Sequence, residues 1–304
     1  MKKLLTILTT MIIAVSFQPA IAQLDPLYAQ YHFNQYMINP AYAGVYKSAT
    51  LAVNSRAQWF GLEGSPVTNT LTAMTSIGNS GGFGIRVMND RIGIRNSNEF
   101  IASGSYYIRS HLTTIGFGLQ GGITQVSNNL NKLEPEVLDD PVLDGFIPQY
   151  SFPNFGFGIM LQRFDYFIGL SIPRILSEDA PEPVFEDNGR YQRHYYISGG
   201  YRFTAVRSYD TKVQTLIRVL EDKVSVDVSG TYFITPDLWG GAMVRDFSSF
   251  SFFGMLQIND NYRIGYTFEL PTNNLITTNF GTHEITFSYT ITPFADQVFE
   301  DRFF

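Results

Sequence analysis

The side chains here that could do chemistry are arginines, carboxylates and four scattered histidines. Nine charged residues recur inside alternating apolar–polar segments: Arg56, Arg86, Arg109, Arg202, Arg218, Asp227, Arg245, Arg263 and Glu269. The charge-bearing faces are rich in Gly, Ser and Thr and mostly out of phase with the bulky apolar residues, which puts the charge on one face of a β-strand, although the segments 99–109 and 212–220 carry bulky residues on both faces. An arginine row on one face has two readings. It is a track for an acidic segment, or a filter for anions. Alternatively it is a ladder, neutralised by Asp227, Glu269 and loop carboxylates, that fills a closed interior. The many Gly residues on the same faces favour the ladder, because they let packed contents approach the wall. Two further stretches are acidic: Glu134, Glu136, Asp139, Asp140 and Asp144, then Glu178, Asp179, Glu182, Glu186 and Asp187. Asp139, Asp140 and Asp144 have the oxygen chemistry for Ca²⁺, but their spacing matches no EF-hand loop, so solvated charge is the default. The histidines (32, 111, 194, 283) are isolated, and no G-x-S-x-G, H-E-x-x-H or P-loop occurs. A protein without catalytic activity, cofactor or resident metal is expected. The absence of cysteine excludes disulfides, thiolate catalysis and Cys-zinc sites.

The elements that must position these residues are strands. The chain has 304 residues, 15% aromatic and only 16% charged, with 26 Gly, 26 Phe and 18 Tyr. Ordinary soluble domains carry about 25% charge. The net charge of -6 disfavours a nucleic-acid partner. Residues 1–22 read as an export signal: Lys2 and Lys3, an apolar run from Leu4 to Phe17, then Ala20-Ile21-Ala22 before the cut. From residue 49 onward, period-two alternation draws fourteen segments: 49–59, 67–77, 81–89, 99–109, 112–124, 153–162, 164–172, 193–204, 212–220, 223–234, 237–245, 250–258, 261–270 and 283–292. Most match the roughly 9–11 residues of a tilted transmembrane strand better than the roughly 5–6 of a soluble one.

Two patterns separate a membrane barrel from a soluble one. Connections after even-numbered strands are mostly tight, whereas the long ones (90–98, 125–152, 173–192, 271–282) follow odd-numbered strands and so share one rim. In the clearest segments, 82–88, 115–123, 155–161, 224–234 and 262–270, the apolar faces carry no Asp, Glu, Lys or Arg. Apolar faces repeat aromatics near segment ends: Trp59, Tyr166, Tyr195, Phe203, Tyr232 and Tyr262. A charge on a lipid-facing strand costs about 2–4 kcal/mol at mid-membrane. Nine of them must therefore face a lumen in a membrane barrel, or solvent in a soluble one. The Gly, Ser and Thr around them suit a crowded lumen. The expected fold is all-β: a transmembrane up-and-down antiparallel barrel of fourteen strands over 49–293, preceded by a periplasmic or plug segment at 23–48 and followed by a tail at 294–304. The tail ends in Phe303-Phe304, a terminal aromatic of the kind common in outer-membrane barrels.

Residues 24–45 do not alternate. Asp25, Pro26, Tyr28, Gln30, Tyr31, Phe33, Asn34, Asn39, Pro40, Ala41, Tyr42, Ala43 and Gly44 match a pattern D-P-x-Y-x-Q-Y-x-F-N-x-x-x-x-N-P-A-Y-A-G. This run resembles the opening motif of the PorP/SprF family of type IX secretion system membrane proteins. Further blocks follow in family order. They include Arg56-Ala57-Gln58-Trp59, Asn89-Asp90-Arg91-Ile92-Gly93, Pro153-Asn154-Phe155-Gly156, Gly169-Leu170-Ser171-Ile172-Pro173, Arg193-His194-Tyr195 and Gly281-Thr282-His283-Glu284-Ile285.

The resemblance implies an outer-membrane barrel with both termini periplasmic. It implies a role in exporting or anchoring large surface adhesins with a type B C-terminal domain, in some members linked to gliding motility. It also implies contact with a periplasmic, peptidoglycan-associated lipoprotein of the secretion system, besides outer-membrane lipid. The alternative is a passive porin or a small-hydrophobe transporter. The aromatic-rich segment at 24–45 reads either as a plug or as a docking surface for the periplasmic partner. The plug is preferred, since Tyr28, Tyr31, Phe33, Tyr36 and Tyr42 suit a solvated arm poorly. The acidic loops, on the rim of long connections, are the expected contact for the adhesin.

Overall fold

A computed structural model of the chain describes residues 29–129, 149–176, 193–203, 210–220 and 223–291. Fourteen strands run in chain order: β1 (Ala49–Ala57), β2 (Val67–Ile77), β3 (Gly81–Ile92), β4 (Arg95–Arg109), β5 (Thr113–Asn128), β6 (Gln149–Arg163), β7 (Tyr166–Ile172), β8 (Tyr195–Phe203), β9 (Thr211–Leu220), β10 (Lys223–Phe233), β11 (Leu238–Arg245), β12 (Ser249–Gln257), β13 (Tyr262–Pro271) and β14 (Thr282–Ile291). Each pairs antiparallel with its neighbours in sequence, and β1 pairs with β14, so the sheet closes into a barrel without an edge. The closing seam runs in register from Ala49↔Ile291 to Ala57↔His283. No helix among the described residues is long and apolar enough to cross a membrane; strands do the crossing.

Alternation decides which way every strand turns. In β10, for example, Val224, Val226 and Val228 face outward and are exposed, whereas Ser225, Asp227 and Ser229 are buried. The outer wall is a continuous apolar surface: Leu119 is 68% exposed, Phe155 52% and Ile285 51%. A wall with that much bare apolar surface belongs in acyl chains, where every backbone group of a closed barrel is already hydrogen-bonded. Of the segment-end aromatics, Tyr195, Phe203, Tyr232 and Tyr262 are exposed on this wall, and Trp59 and Tyr166 are half-buried.

The chain enters β1 and leaves β14 at one rim, here the near rim. Even-numbered strands end there in short connections such as 78–80 and 110–112. The far rim carries 58–66 and 272–281, and it is where β5 and β7 end and β6 and β8 begin. One expectation is corrected. Residues 90–98 are not a long loop: β3 and β4 continue through them and meet at a two-residue turn, Gly93-Ile94. Gly93 takes a left-handed φ of 56°, and Asn89 and Asn98 pair across the strands. Polar side chains on both faces there hide the alternation.

The core lies in the lumen. Residues 29–48, in three short 3-10 turns (Gln30–His32, Gln35–Met37 and Pro40–Tyr42), sit inside the ring of strands. Tyr31, Tyr36, Tyr42, Ala41 and Ala43 are at most 1% exposed.

Candidate functional site in the barrel lumen

The inserted segment is seated by its Asn-Pro-Ala turn. Asn39 is extended, and its side-chain oxygen accepts from the Ala41 amide at 2.9 Å, capping a turn that Pro40 pre-forms. Its Nδ2 donates outward to the Ile159 carbonyl at 3.1 Å and the Leu170 carbonyl at 3.4 Å. This fit requires glycine in the wall. A Cβ at Gly158 would collide with Asn39 and Pro40, and one at Gly118 with the Pro40 carbonyl and the Ala41 amide. The irregular backbone inside the lumen is then satisfied by wall side chains. Ser105 Oγ and Tyr107 Oη both donate to the Ala43 carbonyl at 2.6 Å, and Ser171 Oγ donates to that of Ile38 at 2.6 Å. Arg86 donates to the Met37 carbonyl at 2.7 Å and Arg109 to that of Val45 at 2.9 Å.

The earlier half of the segment packs on the opposite wall. Ala29, Tyr31 and Ile38 form a cluster with Leu216, Met243 and Phe253, against which Phe33 packs. His32 packs in tilted contact against Phe33 and Phe253, each ring centroid 4.2 Å away. It is 1% exposed, and neither ring nitrogen makes a hydrogen bond of ordinary geometry. Burial, with Lys212 and Arg245 nearby, holds His32 well below the ordinary imidazole range. The sign follows from linkage. The folded state keeps His32 neutral while an unfolded chain protonates below about pH 6.5, so this contribution is present above that pH and is lost as pH falls through it. Lowering the pH from 7.5 to 5 should therefore reduce the urea midpoint, and His32→Phe should reduce that drop. An equal drop in the variant would remove His32 as its cause.

Charge in the lumen is organised as a chain. Glu284 pairs with Arg56 (2.9 Å), Arg56 with Glu269 (3.3 Å), Glu269 with Arg245 (3.3 Å), Arg245 with Asp227 (3.2 Å) and Asp227 with Arg218 (2.8 Å). Three cations alternate with three anions across β14, β1, β13, β11, β10 and β9. The Ala29 amide joins the chain by donating to Glu284 at 2.9 Å. On the other side, Glu99 accepts from Arg86 (2.9 Å), Arg174 (3.0 Å) and Asn154 (3.1 Å). Arg202 pairs with Asp210. Arg109 and Arg263 are half-buried: Arg109 lies 4.9 Å over the Tyr107 ring, and Arg263 lies 5.8 Å over Trp239 and donates to Gln257.

The structure thus brings Arg56, Arg218, Asp227, Arg245 and Glu269 together in one network, and places Arg86, Arg109, Arg202 and Arg263 in separate contacts. Of the N-terminal motif, Tyr31, Phe33, Asn34, Asn39, Pro40 and Tyr42 lie in the lumen, and Gln30 begins the first 3-10 turn. Asp25, Pro26 and Tyr28 fall outside the described residues. So do the acidic stretches, Glu134 to Asp144 and Glu178 to Asp187, the export signal and the tail. Sequence reasoning missed Glu99, Glu284 and Arg174. Glu284 was open to it, being in phase with Thr286, Ser288 and Thr290 on β14. Among the described residues no group of His and carboxylates has the geometry of a metal site.

A closed fourteen-strand barrel with an apolar exterior and a charged, filled interior is an outer-membrane β-barrel. The fold is similar to the Pseudomonas putida toluene transporter TodX, with a TM-score of 0.51 at 10% identity over 90% of this chain and 100% of that one. Weaker likenesses are to the Acinetobacter baumannii outer membrane protein Omp33 (TM-score 0.45, 9% identity, 81% and 99% covered) and to KdgM porin (0.41, 10%, 80% and 99%). No curated protein matches the chain. The sequence model described as type IX secretion system membrane protein PorP/SprF matches residues 20–289, and the chain belongs to that family. Membership places the barrel in the bacterial outer membrane, among secretion-system components as partners.

Proposed function

We propose that this protein is a plugged, non-catalytic anchor of the type IX secretion system, which helps export or hold large surface adhesins bearing a type B C-terminal domain and so supports gliding motility. The observation that carries this reading is the filled lumen. The family's own opening motif occupies the space a solute or polypeptide would need, through contacts with opposite sides of the lumen. A barrel blocked by its most distinctive segment is better suited to holding partners than to conducting. In this reading both termini are periplasmic, so the near rim meets a peptidoglycan-associated lipoprotein, while the far rim and its acidic loops meet the adhesin. The same loops are open to Ca²⁺ by composition alone.

Deletion of the gene tests the reading. Surface display of at least one type B adhesin, read with antibodies on intact cells, should be lost and should return with the wild-type gene. Unchanged display of every such cargo would overturn it.

A further inference from the structure

The wall is tallest at β4, β5 and β6, which have 15, 16 and 15 residues against 9 in β1. Over residues 100–108, 115–123 and 153–161 their outward side chains are apolar or glycine, and Phe100, Ile123 and Pro153 stand in register as the last such row. Nine residues per strand already reach the roughly 9–11 that cross the hydrocarbon. Toward the far rim the outward positions then change character. Asn98, Gln125 and Ser151 form the next row and Asn96, Ser127 and Gln149 the one after, each in register across the three strands. All six are exposed or half-exposed. Strand geometry spaces this two-by-three grid by about 4.8 Å across the strands and about 6.7 Å along them. Asn89 on β3 steadies one edge, its Nδ2 donating to the Asn96 and Asn98 side-chain oxygens, both at 2.8 Å.

Two features select the occupant. The first is height: the grid begins directly above the apolar span, at the level of lipid headgroups. Six amides and hydroxyls would be costly any deeper. The second is charge. The grid has no carboxylate, and its charged neighbour in those two rows is Arg91, in register with Asn96. A flat array of neutral donors and acceptors matches a ligand that is itself an array of hydroxyls. We propose that the outward grid on β4–β6 seats the saccharide headgroup of a glycolipid in the adjacent leaflet. This rests on the orientation given above, which puts the far rim outside the cell.

The chain has no cysteine, so Gln125→Cys introduces a single thiol into the grid. A membrane-impermeant maleimide should label it on intact cells. Labelling only after permeabilisation would overturn the orientation, and this inference with it. The purified barrel in detergent is then titrated with lipopolysaccharide carrying its core saccharide, with the same lipid stripped of that saccharide, and with phosphatidylglycerol. Attaching a polymer maleimide to the already folded barrel should weaken binding of the core-bearing lipid about tenfold or more, a difference of about 1.4 kcal/mol. Asn98→Ala with Ser151→Ala should act in the same direction, and the other two lipids should be indifferent. Labelling on intact cells with unchanged affinity would overturn the saccharide site while leaving the orientation standing. Equal loss with the stripped lipid and with phosphatidylglycerol, which carries no sugar, would assign the contact to acyl chains, and crosslinking from the thiol to protein alone would assign it to a protein; either result overturns the proposal.

Discussion

Removing residues 29–45 should turn an electrically silent barrel into a conducting one. In planar bilayers the intact protein is expected to show no stable current steps, and the deletion variant to show persistent ones. The reason lies in what the segment displaces. Tyr36 lies against Gly84, Tyr42 against Phe167 and Phe33 against Phe253, so the rings span the bore between opposite walls. With them gone, the lumen is lined by Ser, Thr and charged side chains that water solvates, interrupted by the apolar patches around Phe167 and around Leu216, Met243 and Phe253. Since a deletion of that length can impair assembly, Gly158→Leu serves as the companion. Its side chain takes the space of Asn39 and Pro40, so it should unseat the turn and give a partial current in an otherwise complete chain. A large steady current from the intact protein would sink the expectation and favour a porin.

The second large effect is expected at Asp227. Its side chain is fully buried and accepts from both Arg218 and Arg245. Asp227→Ala leaves two enclosed guanidiniums short of a counter-charge, which costs about 3–5 kcal/mol. Urea unfolding followed by tryptophan fluorescence should show the midpoint falling accordingly. Replacing Asp227 together with Arg218, by Arg218→Met and Asp227→Leu, should lose much less, because the four charges that remain, Arg245, Glu269, Arg56 and Glu284, still alternate in balance. A single variant as stable as wild type would mean that water already solvates the chain of charges.

Much of this architecture was legible in the sequence, because period-two alternation reports a strand wherever one face meets lipid and the other a polar interior. All fourteen strands lie on segments drawn that way. The same rule failed where both faces are polar. From Asn89 to Asn98 the outward side chains include Asn89, Arg91, Asn96 and Asn98, so the hairpin of β3 and β4 reads as a loop. The lumen's chemistry was half legible. The arginines announce themselves by phase, but Glu99 sits in a stretch where bulky residues fall on both faces, and Arg174 lies just beyond β7. The seat of the N-terminal motif was out of reach. Asn39 meets Gly158 and Leu170 more than a hundred residues later, and nothing local to either partner names the other.

The seam between the first and last strands has a consequence for traffic. Its uninterrupted pairing from Ala49↔Ile291 to Ala57↔His283 is reinforced by Arg56 and Glu284, cross-strand partners whose side chains are 2% and 0% exposed. Parting those strands would expose a buried ion pair to hydrocarbon, which disfavours a sideways gate there, just as residues 29–48 occupy the bore. In the anchoring role proposed above, cargo travels alongside this cylinder rather than through it.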